Sequence, residues 1–189
     1  MSELTISVDA LRDLLERREP VTVLDVRPTA QRQEWSIPES RHVDAYQALW
    51  AGDADAMSRV DLPTDRPVVT VCAVGNTSLL AADHLRRRGL KALSLHGGMR
   101  AWSLAWNAAD VAVPGTQASV VQVRRTGKGC LSYLIGSGGE AAVIDPSVDV
   151  AVYLQLAQAR GWRITKIVET HIHADHLSRA RELMRQSGA

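Results

Sequence analysis

The segment VVTVCAVGNTS, residues 68–78, decides how the first half of this chain is interpreted. A β-branched run ends on Cys72, a short turn follows, and a helical pattern with Thr77 and Ser78 as candidate caps then begins. Such a loop directs backbone N–H groups and a helix N-terminus at the sulfur, which favours an anion there. We therefore predict Cys72 as a nucleophile. The predicted anion-binding loop comprises Ala73, Val74, Gly75, Asn76, Thr77 and Ser78. Packing of a buried cysteine in the core is the alternative.

The surrounding pattern indicates an α/β fold. Residues 21–24, 68–71 and 92–95 are short apolar strands, and residues 79–88 form a helical pattern that ends before Gly89. Strand, helix and strand at this spacing predict a parallel sheet with helices on both faces. Sites in such sheets lie at the carboxyl ends of strands, where Cys72 falls.

The second half of the chain has a different pattern. Residues 109–118, which include a Pro-Gly pair, predict a linker between a domain at 1–108 and another at 119–189. Apolar runs at 120–124, 130–135 and 141–144 are separated by glycine turns and predict an antiparallel meander. A helix at 150–160 and a strand at 164–168 follow. Cys130 is expected to pack in the core.

Composition narrows the function class. The formal net charge is +1, without a long charged block, so neither nucleic acid nor a membrane surface is an expected partner. No apolar run is long enough to span a bilayer. Two cysteines far apart predict reduced thiols and a cytoplasmic location.

Residues 4–107 resemble the rhodanese, or thiosulfate sulfurtransferase, family. The similar motifs are Leu24-Asp25-Val26-Arg27, Ile37-Pro38-Glu39-Ser40, Val43-Asp44-Ala45, the loop Cys72 to Ser78 and Gly97-Gly98-Met99-Arg100-Ala101-Trp102. The resemblance implies a Cys72 persulfide that passes sulfane sulfur from thiosulfate or a low-molecular-weight persulfide to a thiol or cyanide, with no cofactor. The loop has no Arg or Lys, which some members use to hold thiosulfate. Position 78 is Ser, so the Arg that a phosphatase loop needs is absent. Asp25 and Arg27 are interpreted as a supporting ion pair.

A histidine cluster follows the last predicted strand. We interpret His171, His173, Asp175 and His176 as candidate ligands for zinc or iron. The segment resembles the H-x-H-x-D-H motif of the metallo-β-lactamase superfamily, most closely its persulfide dioxygenase and glyoxalase II branches. In the dioxygenase branch the residue matching His171 binds iron, and two further ligands lie much later in the chain.

The length of the second half limits what the resemblance implies. About 70 residues follow the predicted linker, so we expect a truncated half of the αββα sandwich with an incomplete metal site. Metal catalysis by this chain alone is not expected. An uncovered half-sandwich predicts self-association.

Three functions are carried forward. The first is a single-domain sulfurtransferase acting through Cys72. The second is a fragment of a bifunctional rhodanese–persulfide dioxygenase. The third is a non-catalytic interaction module, because a fold alone does not fix a function.

Overall fold

The structure, a computed structural model, describes residues 4–174 and 176–189. The predicted ligand Asp175 lies outside the described residues. The chain divides into two compact units, one ending at Ala105 and the other comprising Trp106–Ala189, and each contains a five-stranded sheet. Within the described part of the chain, no helix has both the length and the apolar character needed to cross a bilayer.

The first unit is a parallel α/β fold, as predicted. Its strands are β1 (Thr5–Ile6), β2 (Thr22–Asp25), β3 (Arg41–His42), β4 (Val68–Val71) and β5 (Ala92–Leu95), arranged in the order β1-β5-β4-β2-β3. All pairings in this sheet are parallel. The helices are α1 (Val8–Glu16), α2 (Thr29–Glu34), α3 (Tyr46–Trp50), α4 (Asn76–Arg87) and α5 (Gly98–Trp102).

Two apolar clusters cover the two faces of this sheet. Val68 packs with α4, whereas Val69 and Val71 pack with α1 and α5. Side chains alternate between faces along a strand, so residue 72 points to the same side as Val68. The Cys72 side chain indeed belongs to the cluster that contains α4. The β-branched run thus fixes both the sheet and the direction of the sulfur.

The second unit is a mixed sheet with helices on its core side. Its strands are β6 (Asn107–Val111), β7 (Ser119–Arg125), β8 (Cys130–Ser137), β9 (Glu140–Ile144) and β10 (Arg163–Val168), and its helices are α6 (Val150–Gln158) and α7 (Ala180–Ser187). Strands β6 to β9 pair antiparallel, which confirms the meander, and β10 pairs parallel with β9. Tyr153 of α6 and Leu183 of α7 are fully buried in its core.

The predicted linker differs from the structure at its beginning. Residues 109–111 belong to β6, which pairs antiparallel with β7 from Asn107↔Arg124 to Val111↔Val120. Most of this strand is exposed, and its Ala-Ala-Asp centre has no apolar alternation. The sequence pattern therefore did not indicate a strand here, although backbone pairing with β7 forms a strand.

Candidate active site

The Cys72 sulfur lies at the carboxyl end of β4 and is almost fully buried, with 1% of the residue exposed. It accepts a hydrogen bond from the Gly75 N–H at 3.1 Å and one from the Ser78 hydroxyl at 3.3 Å. Cys72 is a free thiol. Both donors favour negative charge on the sulfur, because a thiolate accepts hydrogen bonds and donates none.

Helix α4 begins earlier than the sequence pattern predicts, at Asn76 rather than at residue 79. Gly75 is its N-cap, with φ of 97°, and no side chain caps the helix. The expectation that Thr77 and Ser78 cap this helix is therefore wrong, because both lie within its first turn. A left-handed backbone at residue 75 turns the chain sharply enough for the Gly75 N–H to reach the sulfur, and glycine adopts this conformation without steric cost.

The six loop residues differ in their access to solvent. Val74 is 49% exposed, Asn76 is also exposed and Ala73 is half-buried, whereas Thr77 and Ser78 are buried at 3% and 0%. The Ser78 hydroxyl also lies 2.8 Å from the Ser94 hydroxyl of β5. Ser94 is fully buried, and sequence analysis did not identify it. Ala73, Val74 and Asn76 thus form the accessible side of the loop, while the Ser78 hydroxyl contacts the sulfur from the core.

The turn between β5 and α5 holds the loop from outside. The Met99 N–H donates to the Cys72 carbonyl at 2.8 Å, and the Arg100 N–H donates to the Ala73 carbonyl at 3.0 Å. Gly98 makes this approach possible, since a Cβ there would lie 2.3 Å from the Cys72 carbonyl oxygen. The Gly97-Gly98 pair of the sequence thus fixes the backbone that carries the sulfur.

Asp25 and Arg27 form a buried ion pair at the end of β2. The Arg27 Nη2 donates to Asp25 Oδ2 at 2.7 Å and to the Trp35 carbonyl at 2.8 Å. The Arg27 carbonyl lies 2.8 Å from His42 Nε2. This network ties β2 to the segment after α2 and to β3. Because both side chains are at most 4% exposed, the pair supports the fold around the strand ends.

In the second unit, the structure brings three of the predicted metal ligands together. The rings of His171 and His173 are 4.2 Å apart, and those of His173 and His176 are 4.4 Å apart. Cys130 is half-buried at the start of β8, and its Sγ lies 3.9 Å from His176 Nδ1. Cys130 was expected in the core, but its position at the strand end places it beside the histidines instead.

Asp145, at the end of β9, joins this cluster. Ligand atoms of Asp145, His171 and His173 all lie within 4.8 Å of one another. Sequence analysis did not predict Asp145 as a site residue. Asp145 meets the histidines because Ile144 pairs with Val168 in parallel strands. The ends of β9 and β10 are therefore neighbours. Two imidazoles and one carboxylate form a donor set that fits a zinc or iron ion.

Hydrogen bonds determine which ring nitrogens can face an ion. The Thr170 hydroxyl donates to Asp145 Oδ2 at 2.5 Å, so it accepts from His171 Nδ1 at 2.7 Å and leaves His171 Nε2 for a metal. His173 Nε2 lies 2.9 Å from Glu169 Oε2 and 3.3 Å from Asp145 Oδ1, so this nitrogen faces both carboxylates. Carboxylates and hydroxyls commonly fix ligand histidines in this way.

The surroundings of Asp145 favour the ionised form of its carboxyl group. Burial opposes its ionisation, but hydrogen bonds from the Thr170 hydroxyl and amide, together with the neighbouring His173, outweigh burial and hold the pKa of Asp145 below its ordinary value. The group is therefore an anion at neutral pH.

Comparison with known proteins finds relatives for each of the two units. The rhodanese-like domain family matches residues 7–105. The chain belongs to the rhodanese-like family. The putative sulfurtransferase YtwF of Bacillus subtilis is 31% identical over 98 residues, which cover 51% of this chain and 87% of that protein. The thiosulfate sulfurtransferase GlpE of Pseudomonas savastanoi is 34% identical over 87 residues, which cover 46% of this chain and 76% of that protein.

The second unit has relatives of another kind. Residues 125–189 match the metallo-beta-lactamase superfamily. The hydroxyacylglutathione hydrolase of Anaeromyxobacter dehalogenans is 44% identical over 66 residues, which cover 35% of this rhodanese-family chain. Those residues span only 26% of the length of that hydrolase. The second domain is thus glyoxalase II-like in sequence.

Proposed function

We propose that this protein is a sulfurtransferase that carries sulfane sulfur on Cys72. The observation that supports this most directly is the sulfur at the end of β4, which accepts hydrogen bonds from the Gly75 amide and the Ser78 hydroxyl. These donors are in place before the reaction, so they stabilise an anionic sulfur without reorganisation. The sulfurtransferase names of the relatives that match the first unit give independent support.

The proposed reaction has two steps. The Cys72 thiolate attacks the sulfane sulfur of thiosulfate, a new S–S bond forms, and sulfite leaves with the electron pair of the broken bond. A low-molecular-weight persulfide would release its thiolate in the same way. A thiol or cyanide then attacks the outer sulfur of the Cys72 persulfide and restores the thiolate. No external oxidant or reductant is needed, and the scheme predicts ping-pong kinetics.

The loop favours a persulfide as the donor. Residues 73–78 contain no Arg or Lys, so a dianion meets only backbone N–H groups and neutral side chains there. Val74, half exposed at the loop, adds apolar surface. At its reacting end a low-molecular-weight persulfide carries at most one negative charge, against two on thiosulfate, so it needs less compensating positive charge beside Cys72.

Intact mass spectrometry tests both the reaction and the donor. The protein and its Cys72→Ala variant are incubated separately with thiosulfate and with glutathione persulfide, and then with cyanide. We expect a gain of one sulfur atom that requires Cys72 and is reversed by cyanide. The fraction of protein that gains the sulfur should be larger with the persulfide than with thiosulfate. If neither donor adds sulfur to the folded protein, the chain is better explained as a non-catalytic interaction module.

The histidine cluster favours a second candidate, in which the chain is part of a bifunctional rhodanese–persulfide dioxygenase. His171, His173 and Asp145 would hold the metal, which when bound supplies a redox-active or Lewis-acidic centre. Glu169 and Thr170 would orient the two imidazoles. Metal content after dialysis against iron or zinc tests this proposal. We expect about one ion per chain, lost in His171→Ala, whereas equal metal in both proteins would contradict it.

A further inference from the structure

Two buried serine hydroxyls form a hydrogen-bonded chain that leads from the core to Cys72. The two-step reaction proposed above assigns no role to the second of them. Ser78 Oγ lies 3.3 Å from Cys72 Sγ and 2.8 Å from Ser94 Oγ. Ser94 Oγ lies 3.5 Å from the Gly75 carbonyl. Both serines are fully buried, at 0% exposure. Each hydroxyl has one proton, so the direction of donation along the chain is restricted.

The distances favour one direction. Ser94 can donate to Ser78 at 2.8 Å or to the Gly75 carbonyl at 3.5 Å, and the shorter contact is the stronger hydrogen bond. When Ser94 donates to Ser78, the Ser78 proton cannot point back to Ser94. It then points to the Cys72 sulfur. Ser94 thus commits the Ser78 hydroxyl to donation towards the sulfur, which is the arrangement that stabilises a thiolate.

We propose that Ser94 is a positioning residue for the Cys72 nucleophile, acting through the Ser78 hydroxyl. Ser78 touches the reacting sulfur directly, and Ser94 polarises and orients Ser78 from β5. The same pair stabilises the Cys72 thiolate as it leaves when an acceptor removes the outer sulfur. The inference deepens the proposed sulfurtransferase function by adding a residue that lies outside the loop.

A reagent that reacts with thiolates tests the role of Ser94 and Ser78 independently of any sulfur donor. Methyl methanethiosulfonate reacts with a thiolate to give a methyl disulfide and methanesulfinate. Its reaction with Cys72 is followed by intact mass in proteins that all carry Cys130→Ser, because Cys130 is also a free thiol. We expect Ser78→Ala to slow this reaction roughly tenfold to hundredfold, since a hydrogen bond to an anion is lost. Ser94→Ala should slow it about twofold to fivefold, because the polarising donor is lost.

The direction of the change separates positioning from a structural role. Cys72 is buried, so a variant that merely loosens the loop would expose the thiol and make the reaction faster. Thr70→Val is the matched control. It removes another fully buried hydroxyl, which lies within donating distance of the Ser78 carbonyl, at 2.7 Å, and of the Leu93 carbonyl, at 3.1 Å. The rate at which Cys72 reacts in this variant should stay within about twofold of wild type. Its free energy of unfolding should fall about as much as that of Ser94→Ala, because each loses one buried hydroxyl.

A double-mutant cycle completes the test. If Ser94 acts through Ser78, Ser94→Ala has no further effect in the Ser78→Ala protein. An equal or faster reaction in Ser94→Ala, or additive effects in the double variant, would overturn the inference. If Ser78→Ala does not fold, the comparison of Ser94→Ala with Thr70→Val still decides it. Absence of sulfur uptake by the wild type would contradict the proposed function, but it would leave this comparison intact.

Discussion

Gly98 provides the sharpest test of how the active loop is held. Replacement by alanine would place a Cβ 2.3 Å from the Cys72 carbonyl oxygen and 2.7 Å from the Gly75 nitrogen. Ordinary van der Waals contact begins at 3.4 Å, so the two segments must separate by about 1.1 Å. The neighbouring atoms are backbone, so no side chain can move aside. The change therefore displaces the peptide that carries the sulfur.

The expected size of the effect has two parts. Residue 98 has φ of 56°, and an L-residue in this region costs about 1–2 kcal/mol. Overpacking a closely packed site adds about 1–3 kcal/mol. We thus expect Gly98→Ala to lower the free energy of unfolding by roughly 2–5 kcal/mol. A displacement of about 1 Å at a reacting group can lower the rate by about a hundredfold, so sulfur transfer should fall sharply in the molecules that remain folded.

Gly89→Ala is the matched control. Gly89 has φ of 86° and nothing within 4 Å of an added Cβ, so it shares the backbone penalty without the collision. Urea unfolding and cyanide-coupled sulfur transfer are measured for both variants. We expect Gly89→Ala to lose about 1–2 kcal/mol and to keep wild-type turnover per folded molecule. Equal stability losses in the two variants, with normal turnover in Gly98→Ala, would refute the reasoning.

Three further predictions concern the sulfur, the ion pair and the second sheet. Cys72→Ser should remain folded by circular dichroism and lose sulfur transfer, whereas retained transfer would place the chemistry at another residue. Asp25→Asn leaves the Arg27 charge buried without its partner, so urea unfolding should show a loss of about 3–5 kcal/mol; a loss under 1 kcal/mol would mean that the pair contributes little. Leu131 and Ile135 are 42% and 37% exposed on the face of the second unit's sheet that points away from its core. Size-exclusion chromatography should therefore show association that increases with protein concentration, and a monomer at all concentrations would contradict this.

The parallel sheet could be predicted because its signal is local. The β-branched residues of β4 alternate between two cores, and that period determines which face receives Cys72. The start of α4 was harder to predict, since the N-cap is a glycine with positive φ and no side chain caps the helix. Thr77 and Ser78 matched a capping preference, but they face the core instead.

Site residues contributed by other strands could not be predicted from local pattern. Ser94 lies in a correctly predicted strand, but its contact with Ser78 depends on the pairing of β4 with β5. Asp145 meets the histidines only because β9 and β10 run parallel with their ends aligned. A polar residue at or near the carboxyl end of a strand is a sequence signal for either residue, but its meaning depends on the strand order.

The β5–α5 segment connects these observations into one account of the active site. The Ser94 hydroxyl contacts the Ser78 hydroxyl that lies against the sulfur, whereas the Met99 and Arg100 amides hold the carbonyls of Cys72 and Ala73. Because a peptide unit is planar, fixing a carbonyl also fixes the N–H group on the same unit. The backbone anchors therefore orient the first loop amides, while the serine orients a side-chain donor. Gly98→Ala should disturb the anchors and Ser94→Ala only the donor, so the two variants separate backbone preorganisation from hydroxyl donation at the same sulfur.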